Sequence, residues 1–449
     1  MSLWAAFSEK LGARGQILGR NLGWNIGGQV LPLVAGLVFV PLLLSGLGTA
    51  RYGFLSLVWV LIGYFSLFDL GLSRALTQRV SLLGAQDDQR QVRTAVATGM
   101  ALICGLALLS VPLLLAGKGA LLDTVVRSGS ALSVEGARAF RWLILGVPVV
   151  ILAAGVRGVL EGQQRFVAVN LVRIPAGVMM FVGPWLATQV SPTLEPVTFA
   201  VFVVRLLQLL GFAWQARGVL AGSARLRVFD RDEVRILFGF GLWMTVSNII
   251  GPLMVYLDRF VIARFGDLAD VSYYSAPFDL LSRSLFLSAA VAGVMFPAIS
   301  AAVADGAGRV AGSAGRLVRQ HYGLVVLFFL PPLALVVVFA ETGLSWWLGA
   351  AFAAKSALVM QVLAMGIFVN ALASVPTAQL HAIRRADITA KCHLIELPVY
   401  LVVLVWLVQT QGILGAALAW TGRAALDLGL LAVFAKAQYR RINSTSRVV

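Results

Sequence analysis

The sequence predicts an all-α integral membrane protein of about twelve transmembrane helices, and three observations support this. Of its 449 residues, 59% are hydrophobic and only 12% are charged, whereas a soluble globular protein carries about 25% charged residues. The mean hydropathy is +0.88. Apolar runs recur along the whole chain without the roughly ten-residue alternating segments of a membrane β-barrel. No polar stretch is long enough for a separate soluble domain.

Twelve apolar windows reach the roughly 20 residues that a helix needs to cross a bilayer. They cover residues 21–45, 54–80, 94–116, 139–160, 168–190, 197–219, 236–262, 272–298, 321–343, 356–379, 392–411 and 413–435. We divide them into an N-lobe, residues 21–220, and a C-lobe, residues 236–437. Each lobe then contains six predicted helices.

The remaining segments are polar. Residues 1–20 lack the apolar core and cleavage site of a signal peptide, and we predict a cytoplasmic amphipathic segment there. The most charged connection, "RGVLAGSARLRVFDRDEVR", contains the predicted cytoplasmic linker between the lobes at residues 221–235. Residues 438–449 form the predicted cytoplasmic tail.

The two lobes begin with similar sequences. "LGWNIGG…SGLGTARYGFLS" in the N-lobe resembles "FGLWMTV…ARFGDLADVSYYS" in the C-lobe. With six helices per lobe, the two copies point the same way across the membrane, as in transporters built from parallel repeats.

The basic residues are distributed unequally between the two sides of the membrane. With the amino terminus taken as cytoplasmic, 23 of the 36 Lys and Arg are assigned to inner segments or inner window ends, seven to outer segments or outer window ends, and the remaining six to the spans. The positive-inside rule expects this bias. It predicts two cytoplasmic termini, and it explains the net charge of +16 without nucleic acid as a partner.

The windows contain charged residues that need an explanation. An ionised side chain near the bilayer centre costs at least about 2.5–3.5 kcal/mol, so such groups face a protein interior or a watery cavity. Eleven together indicate a polar interior: Asp69, Arg74, Arg173, Arg205, Asp258, Arg259, Asp279, Arg283, Glu396, Arg423 and Asp427.

Spacing along the helices indicates which of these charges can pair. Residues four apart share a helix face, so we predict structural salt bridges for Asp279 with Arg283 and for Arg423 with Asp427. Asp69 and the arginine at position 74 are five residues apart, roughly 140° around a helix. These two therefore need partners elsewhere.

Depth separates the remaining charges. Arg173, Asp258, Arg259 and Glu396 lie near helix ends, where long side chains can snorkel, so anchoring and functional roles both stay open for them. The arginines at 205 and 283 lie deeper and are the strongest candidates for binding an anion.

The chemistry of these groups suggests two functional sets. Guanidinium groups stay charged and match phosphate oxygens, so we predict that the arginines bind a phosphorylated head group: Arg205, Arg283, Arg74, Arg259, Arg173 and Arg423. Buried carboxylates can gain or lose charge when an ion arrives, so they are candidates for ion coupling or for structural pairing: Asp69, Asp258, Asp279, Glu396 and Asp427.

Catalysis is hard to place in this sequence. External loops are short, and no loop has the G-x-x-x-x-G-K-[ST] pattern of an ATPase. The three histidines lack metal-ligand spacing, so no metal and no cofactor are predicted. Buried aromatic residues such as Tyr274 and Phe278 are more typical of helix packing than of sugar stacking.

Two segments carry a resemblance to a known family. "ARYGFLSLVWVLIGYFSLFDLGLSRALTQRV", with its Tyr52-Gly53 start and Asp69-x-Gly71-Leu72 core, resembles the Wzx-type oligosaccharide flippases. These belong to the polysaccharide transporter family within the multidrug, oligosaccharidyl-lipid and polysaccharide exporter superfamily. "YLDRFVIARFGDLADVSYYSAPFDLLSRSLFLSAAVAGVMFPAIS" is similar to the family's second segment. The resemblance is clearest over about residues 20–80 and 240–300.

The resemblance implies a fold like that of multidrug exporters of this superfamily, with two six-helix lobes around a central cavity that opens alternately to each side. The implied cargo is an oligosaccharide on an undecaprenyl pyrophosphate carrier, moved from the inner to the outer leaflet of a bacterial inner membrane for surface polysaccharide synthesis. Exchange of H⁺ or Na⁺ would add to the drive. Related lipid II flippases usually have fourteen helices, against the twelve predicted here.

Two other functions stay open. A cation-coupled drug or metabolite antiporter of the same superfamily would have a net acidic, aromatic cavity, whereas the eleven charges assigned to the interior here are six arginines and five carboxylates. A membrane glycosyltransferase or polymerase belongs to a different class, and activity of the purified protein on carrier-linked sugars would reveal it.

Overall fold

The computed structural model describes residues 2–65, 69–86, 88–125, 131–223, 229–304, 310–383 and 385–445 of the chain. The side chains of residues 1–26, where the amphipathic segment was predicted, lie outside this description, as do residues 224–228 of the predicted linker. The described residues form helices without a strand, which confirms the all-α prediction. The helices are α1 (Ser2–Phe65), α2 (Leu72–Ala85), α3 (Gln89–Val125), α4 (Ala131–Gly162), α5 (Phe166–Val190), α6 (Leu194–Ser223), α7 (Arg231–Phe265), α8 (Leu268–Ser282), α9 (Leu285–Ala304), α10 (Val310–Leu348), α11 (Ala350–Ala382) and α12 (Ala386–Thr445).

Helix α1 folds back on itself at Gly48. Two of its positions, Gly36 and Trp59, both meet the ring of Phe181: a Cβ added at Gly36 would lie 3.4 Å from that ring, and the Trp59 ring centroid lies 5.2 Å from it. In a straight helix these positions would be about 34 Å apart, at 1.5 Å per residue. The chain therefore reverses between them, and Gly48, with a φ of +75°, supplies the left-handed conformation that glycine adopts without strain.

Helix α12 has the same construction around Gly412, which has a φ of 60° and a ψ of −136°. His393 Nε2 lies 3.5 Å from Asp427 Oδ1, although a straight helix would separate these residues by about 51 Å. The two segments of α12 are therefore antiparallel. The reversal lies between the windows predicted at 392–411 and 413–435.

Length and composition allow eight of the described helical stretches to cross a membrane, among them Gly27–Phe65 with 39 residues and Ala386–Arg440 with 55. A single crossing needs about 20 residues, so these two stretches are long enough for two crossings each. The chain is thus a multi-pass membrane protein. The exact count of twelve crossings stays a prediction, because α7, α8 and α9 are outside these eight stretches.

Two predicted windows are interrupted rather than continuous. The window at 54–80 is broken where Leu70 and Gly71 take φ angles of 52° and 69°, and α2 begins after this break. The window at 272–298 divides into α8 and α9 at Arg283 and Ser284. These are the second and eighth windows, equivalent positions in the two predicted repeats. In transporters, interrupted helices at equivalent positions of two repeats point to the substrate site.

Asp69 owes its burial to the first of these interruptions. Its Oδ1 accepts a hydrogen bond from Gly71 N at 3.0 Å, and its Oδ2 accepts one from Ser73 N at 2.9 Å. These are amides of the kind that a helix amino terminus leaves without intrahelical partners. A carboxylate at a helix amino terminus is also favoured by the helix dipole. A charge inside an apolar run is therefore explained by helix capping.

The chain separates into two compact units, Met1–Ile249 and Ile250–Val449. Helix α7 runs through this division. The lobe limits and the linker at 221–235 stay predictions.

Glycines bring α2 and α4 into backbone contact in the first unit. A Cβ at Gly158 would lie 2.6 Å from the carbonyl oxygen of Ser73, and Thr77 Oγ1 donates a hydrogen bond to the Gly158 carbonyl at 3.0 Å. Small residues permit such close approaches between membrane helices. Arg79, in the middle of α2, forms a bidentate salt bridge at 2.6–3.2 Å with the buried Glu233 of α7.

Aromatic packing organises the second unit. Trp420 of α12 is 1% exposed and meets the Phe278 ring edge-on at 5.2 Å. Gly366 of α11 leaves room for the Trp420 ring, because an added Cβ would lie 2.8 Å from it. Tyr273, Tyr274 and Phe278 are buried here, as expected for packing residues.

We expect Asp69→Ala to destabilise the protein by about 0.5–2 kcal/mol, the usual range for a lost cap, since two amides of α2 lose their acceptor. Asp69→Asn keeps one carbonyl acceptor and should lose less. Thermal unfolding of the detergent-solubilised protein measures both. Asp88→Ala, which removes an exposed cap on Gln91 N, is the control and should fall at the low end. Wild-type unfolding of Asp69→Ala would contradict the capping role.

Candidate functional site

A polar cavity lies among α1, α4 and α6 of the first unit. Its volume is about 80 Å³, enough for several water molecules. The name "arginine cavity" is used here for the space lined by Ile62, Gly63, Val150, Ala153, Ala154, Arg157, Arg205, Gln208 and Phe212.

Arg205 is the central cation of the arginine cavity. Its Nη1 donates a hydrogen bond to Gln208 Oε1 at 2.9 Å, one turn further along α6. Its Nε is buried, and among the residues that the structure describes it has no hydrogen-bond partner. A buried donor without an acceptor costs about 1–3 kcal/mol. Arg205 therefore retains an unused donor beside a cavity.

Two further arginines extend this positive charge: Arg157 lies within electrostatic range of Arg205, and Arg173 lies within electrostatic range of Arg157. Arg157 of α4 lines the same cavity, with its side chain 44% exposed and 3.6 Å from Glu161. Arg173 of α5 lies within electrostatic range of both Arg157 and Glu161. These three guanidinium groups face one carboxylate, so the group formed by these four residues carries an excess of two positive charges. Guanidinium forks and a low-dielectric setting suit a phosphate or pyrophosphate.

Arg157 was missed as a site residue, because it was counted with the basic residues of the inner segments. It lies inside the fourth window, at 139–160, and this position was the available signal. Arg74, in contrast, is exposed on α2 and does not line the arginine cavity.

The second unit contains a buried network around Arg259. This side chain is 2% exposed, and its Nη2 donates to Asp279 Oδ1 at 2.5 Å. Its Cζ lies 5.6 Å from the Tyr256 ring centroid and 5.4 Å from that of Phe278, within the range of cation–π attraction. The possibility that Arg259 snorkels to the membrane surface was wrong.

Asp258 is completely buried beside Arg259. It accepts a hydrogen bond at 2.8 Å from the backbone amide of Arg259 and another from the hydroxyl of Tyr274. Snorkelling is therefore wrong for Asp258 too. These contacts have the pattern of a fully partnered structural group.

In the two predicted i,i+4 salt bridges, the carboxylates have other partners in the structure. The structure pairs Asp279 with Arg259 of another helix, while Arg283 is half-buried at the α8–α9 break. The predicted pair of Arg423 with Asp427 was wrong within the described residues, since Asp427 lies against His393 instead. Arg423 has its Cζ 5.5 Å from the Trp420 ring centroid.

Glu396 and Asp427 approach each other on the two antiparallel segments of α12. Glu396 is 1% exposed and Asp427 is 6% exposed, so snorkelling is wrong for Glu396. His393, for which no metal role was predicted, has a ligand atom within 4.8 Å of ligand atoms of both carboxylates.

Comparisons with known proteins place the chain in a class and then in a family. It shares its fold with an inward-facing multidrug resistance MATE family transporter of the MOP superfamily, with a TM-score of 0.77 and 13% identity over 93% of this chain and 96% of that one. The chain also shares its fold with the lipid II flippase MurJ in an inward closed conformation. The TM-score is 0.71, with 12% identity over 95% of this chain and 91% of that one. These likenesses show that the chain has a MATE-like fold.

The family follows from sequence. The model described as "Polysaccharide biosynthesis protein" matches residues 18–303, more than half of the chain, so the chain belongs to this family. A relative from Shigella flexneri, named "Putative O-antigen transporter", is 29% identical over 412 residues, which cover 92% of this chain and 96% of the relative. The predicted family is therefore confirmed.

We expect Arg259→Met to lower the free energy of unfolding, because it leaves Asp258 and Asp279 without their cation. Breaking a buried ion pair costs about 3–5 kcal/mol, and the 35% exposure of Asp279 places the loss toward the lower end. Denaturation in detergent measures it, with the exposed Arg264→Met of the same helix as control. The double variant Arg259→Met with Asp279→Asn should recover part of the loss. No recovery would contradict the pairing.

Proposed function

We propose that this protein is a flippase for a polyprenyl-pyrophosphate-linked oligosaccharide. It moves the lipid-linked sugar from the inner to the outer leaflet of a bacterial inner membrane by alternating access, for surface polysaccharide synthesis. The near full-length similarity to a relative named as an O-antigen transporter supports this cargo class. Transport rather than catalysis is the proposed activity.

The excess positive charge at the arginine cavity carries the proposal. Arg157 and Arg205 line this cavity, and Arg173 lies within electrostatic range of Arg157. Of these three arginines, Arg157 and Arg173 have Glu161 as a nearby carboxylate, and Arg205 keeps an unused donor. A neutral sugar would leave this charge uncompensated, and a cationic drug would be repelled by it. A pyrophosphate supplies the opposite charge and the oxygen acceptors.

The size of the arginine cavity limits what it can hold. At about 80 Å³ it has room for a phosphate-sized group but not for an oligosaccharide. We therefore assign it to the phosphate end of the carrier, with Arg157 and Arg205 as the binding residues and Arg173 as a neighbouring positive charge. Arg283, half-buried at the α8–α9 break, is proposed as a further head-group ligand.

Burial and pairing divide the other candidates. Asp69 serves as a helix cap, and Arg259 has its partner in Asp279, so we propose structural roles for these three residues and for Asp258. The exposed Arg74 and the buried Arg423 are assigned no cargo contact. Coupling to H⁺ or Na⁺ stays part of the proposal without an assigned residue.

Orientation and carrier belong to the proposal as well. The bias of 23 inner against seven outer basic residues supports an inner-membrane protein with both termini in the cytoplasm. An undecaprenyl tail can stay in the bilayer while the head group crosses, since only the polar head pays the cost of unsatisfied groups in hydrocarbon.

A drug or metabolite antiporter is the second candidate. The buried Glu396 and Asp427 favour it, because cation exporters of this fold need acidic groups. The arginine cavity argues against it, since its excess positive charge disfavours a cationic cargo. Uptake of organic cations by proteoliposomes without flipping of lipid-linked sugar would reverse the order of the two candidates.

We expect Arg205→Ala to slow flipping by about 10–100-fold, because a charge-assisted hydrogen bond contributes about 1.5–3 kcal/mol. Arg157→Ala should slow it as well. Arg205→Lys keeps the charge without the fork and should be intermediate. The measurement is the appearance of lipid-linked oligosaccharide in the outer leaflet of proteoliposomes.

The matched control for these variants is Arg217→Ala on the same helix, whose exposed guanidinium contacts the Trp214 carbonyl. It should leave flipping unchanged. In cells without the chromosomal gene, Arg205→Ala should cause carrier-linked repeat units to accumulate on the cytoplasmic face. Wild-type flipping by both Arg205→Ala and Arg157→Ala would remove the proposed role of the arginine cavity.

The membrane potential should be sufficient to drive export. A head group with about two negative charges gains roughly 4.6 kcal/mol per 100 mV of inside-negative potential, at about 2.3 kcal/mol per charge. Imposing this potential with K⁺ and valinomycin should shift the leaflet distribution outward by about three powers of ten. A distribution that ignores the potential but follows a Na⁺ or pH gradient would instead show obligatory ion coupling.

A further inference from the structure

The hairpin of α12 brings a nitrogen ligand and two carboxylates together. His393 and Glu396 are three residues apart in its first segment, so they share a helix face, and Asp427 comes from the second segment. One ligand atom from each of the three lies within 4.8 Å of the other two. A histidine and a carboxylate three residues apart are also how helical bundles present metal ligands.

The distance between two of these ligand atoms fits a shared metal ion. His393 Nε2 and Asp427 Oδ1 are 3.5 Å apart, too far for a good hydrogen bond. Two ligands about 2.1 Å from one ion at the tetrahedral angle lie about 3.4 Å apart. The observed separation is therefore that of two ligands around one ion.

Glu396 supplies an independent observation. Its side chain is 1% exposed, and neither Oε1 nor Oε2 has a hydrogen-bond partner within the part of the chain that the structure describes. Asp427 Oδ1 is also buried without a hydrogen-bond partner among the described residues. Burying a carboxylate without partners is one of the most costly arrangements in a protein, and metal coordination is one of its usual solutions.

A neighbouring arginine does not relieve this cost. Arg423 lies within electrostatic range of Glu396, but it makes no ion pair with either carboxylate among the described contacts, and its Cζ lies 5.5 Å from the Trp420 ring centroid. With a neutral imidazole, the four side chains carry one net negative charge. A divalent cation would reverse that sign and give both carboxylates a ligand bond.

We propose that His393, Glu396 and Asp427 bind a divalent first-row transition-metal ion that clips together the two segments of α12. The imidazole selects this class, because imidazole suits zinc, iron, nickel and copper, whereas sodium, calcium and magnesium favour oxygen ligands alone. Three protein ligands leave a fourth position for water. The proposal goes beyond export and does not depend on it.

The test uses tag-free, full-length protein in detergent, treated with a chelator and titrated with Zn²⁺ by calorimetry. We expect one Zn²⁺ per chain, a higher unfolding temperature with Zn²⁺, and binding at least about 100-fold weaker in His393→Gln and Glu396→Gln, since even outer ligands affect affinity by about 10–100-fold. Co²⁺ should give visible d–d bands that His393→Gln abolishes.

Asp387→Asn is the matched control, because it removes an exposed carboxylate near the start of the same helix, where Asp387 pairs with Arg385 and Lys391. It should bind Zn²⁺ like wild type. If Glu396→Gln does not fold, His393→Gln decides the result, since its side chain is 32% exposed.

Three results would overturn the proposal. The first is Zn²⁺ binding that both variants leave unchanged, and the second is Na⁺ stabilisation that His393→Gln does not alter. The third is the absence of any bound cation, as expected if Glu396 and Asp427 share a proton. Arg205→Ala should still bind Zn²⁺, so a failed export proposal and a failed metal proposal are distinguishable.

Discussion

An ionised group inside hydrocarbon must find a counter-charge, hydrogen bonds or water, and this constraint governs the architecture of the chain. Asp69 meets it through two helix amides, and Arg259 meets it through Asp279 and two aromatic rings. Both groups have partners for their charge, although Arg259 Nε, like Arg205 Nε, has no hydrogen-bond partner in the described region. Arg205 and Glu396 differ because neither has an ion pair or a backbone-amide partner among the described contacts. Function is therefore sought at the charges that lack such partners, and stability at the charges that have them.

Glycine determines how the apolar segments are arranged. Gly48 and Gly412 allow long helical stretches to reverse, which places residues far apart in sequence next to each other. The hairpin at Gly412 creates the group of His393, Glu396 and Asp427. Breaks at Asp69–Gly71 and at Arg283–Ser284 interrupt equivalent windows of the two repeats. Backbone freed from helical pairing at these breaks is where polar chemistry can enter a membrane domain.

The fold alone leaves the cargo open, because a multidrug exporter and a lipid II flippase both share it. Family membership indicates that the cargo takes part in polysaccharide synthesis. The local charge indicates which part of that cargo the protein contacts. A small cationic cavity suits the pyrophosphate, which is common to many carrier-linked sugars, rather than the variable glycan. A transporter of this kind can bind the pyrophosphate, which is the same in each cargo, while the variable sugar passes along a hydrated path. One mechanism can therefore serve different repeat units.

The sequence by itself determined the membrane class, the helical content, the family and the positions of the apolar windows, because hydropathy over about 20 residues is a local property. It also located the charges that need partners. Only the tertiary structure decided those partners: Asp279 with Arg259, Asp427 with His393, and Arg157 beside Arg205. Spacing along one helix predicted pairs within that helix, but burial favours partners on neighbouring segments, whose rotation and register depend on packing. The caps and hairpins likewise depend on backbone angles at single residues, which a hydropathy pattern does not contain.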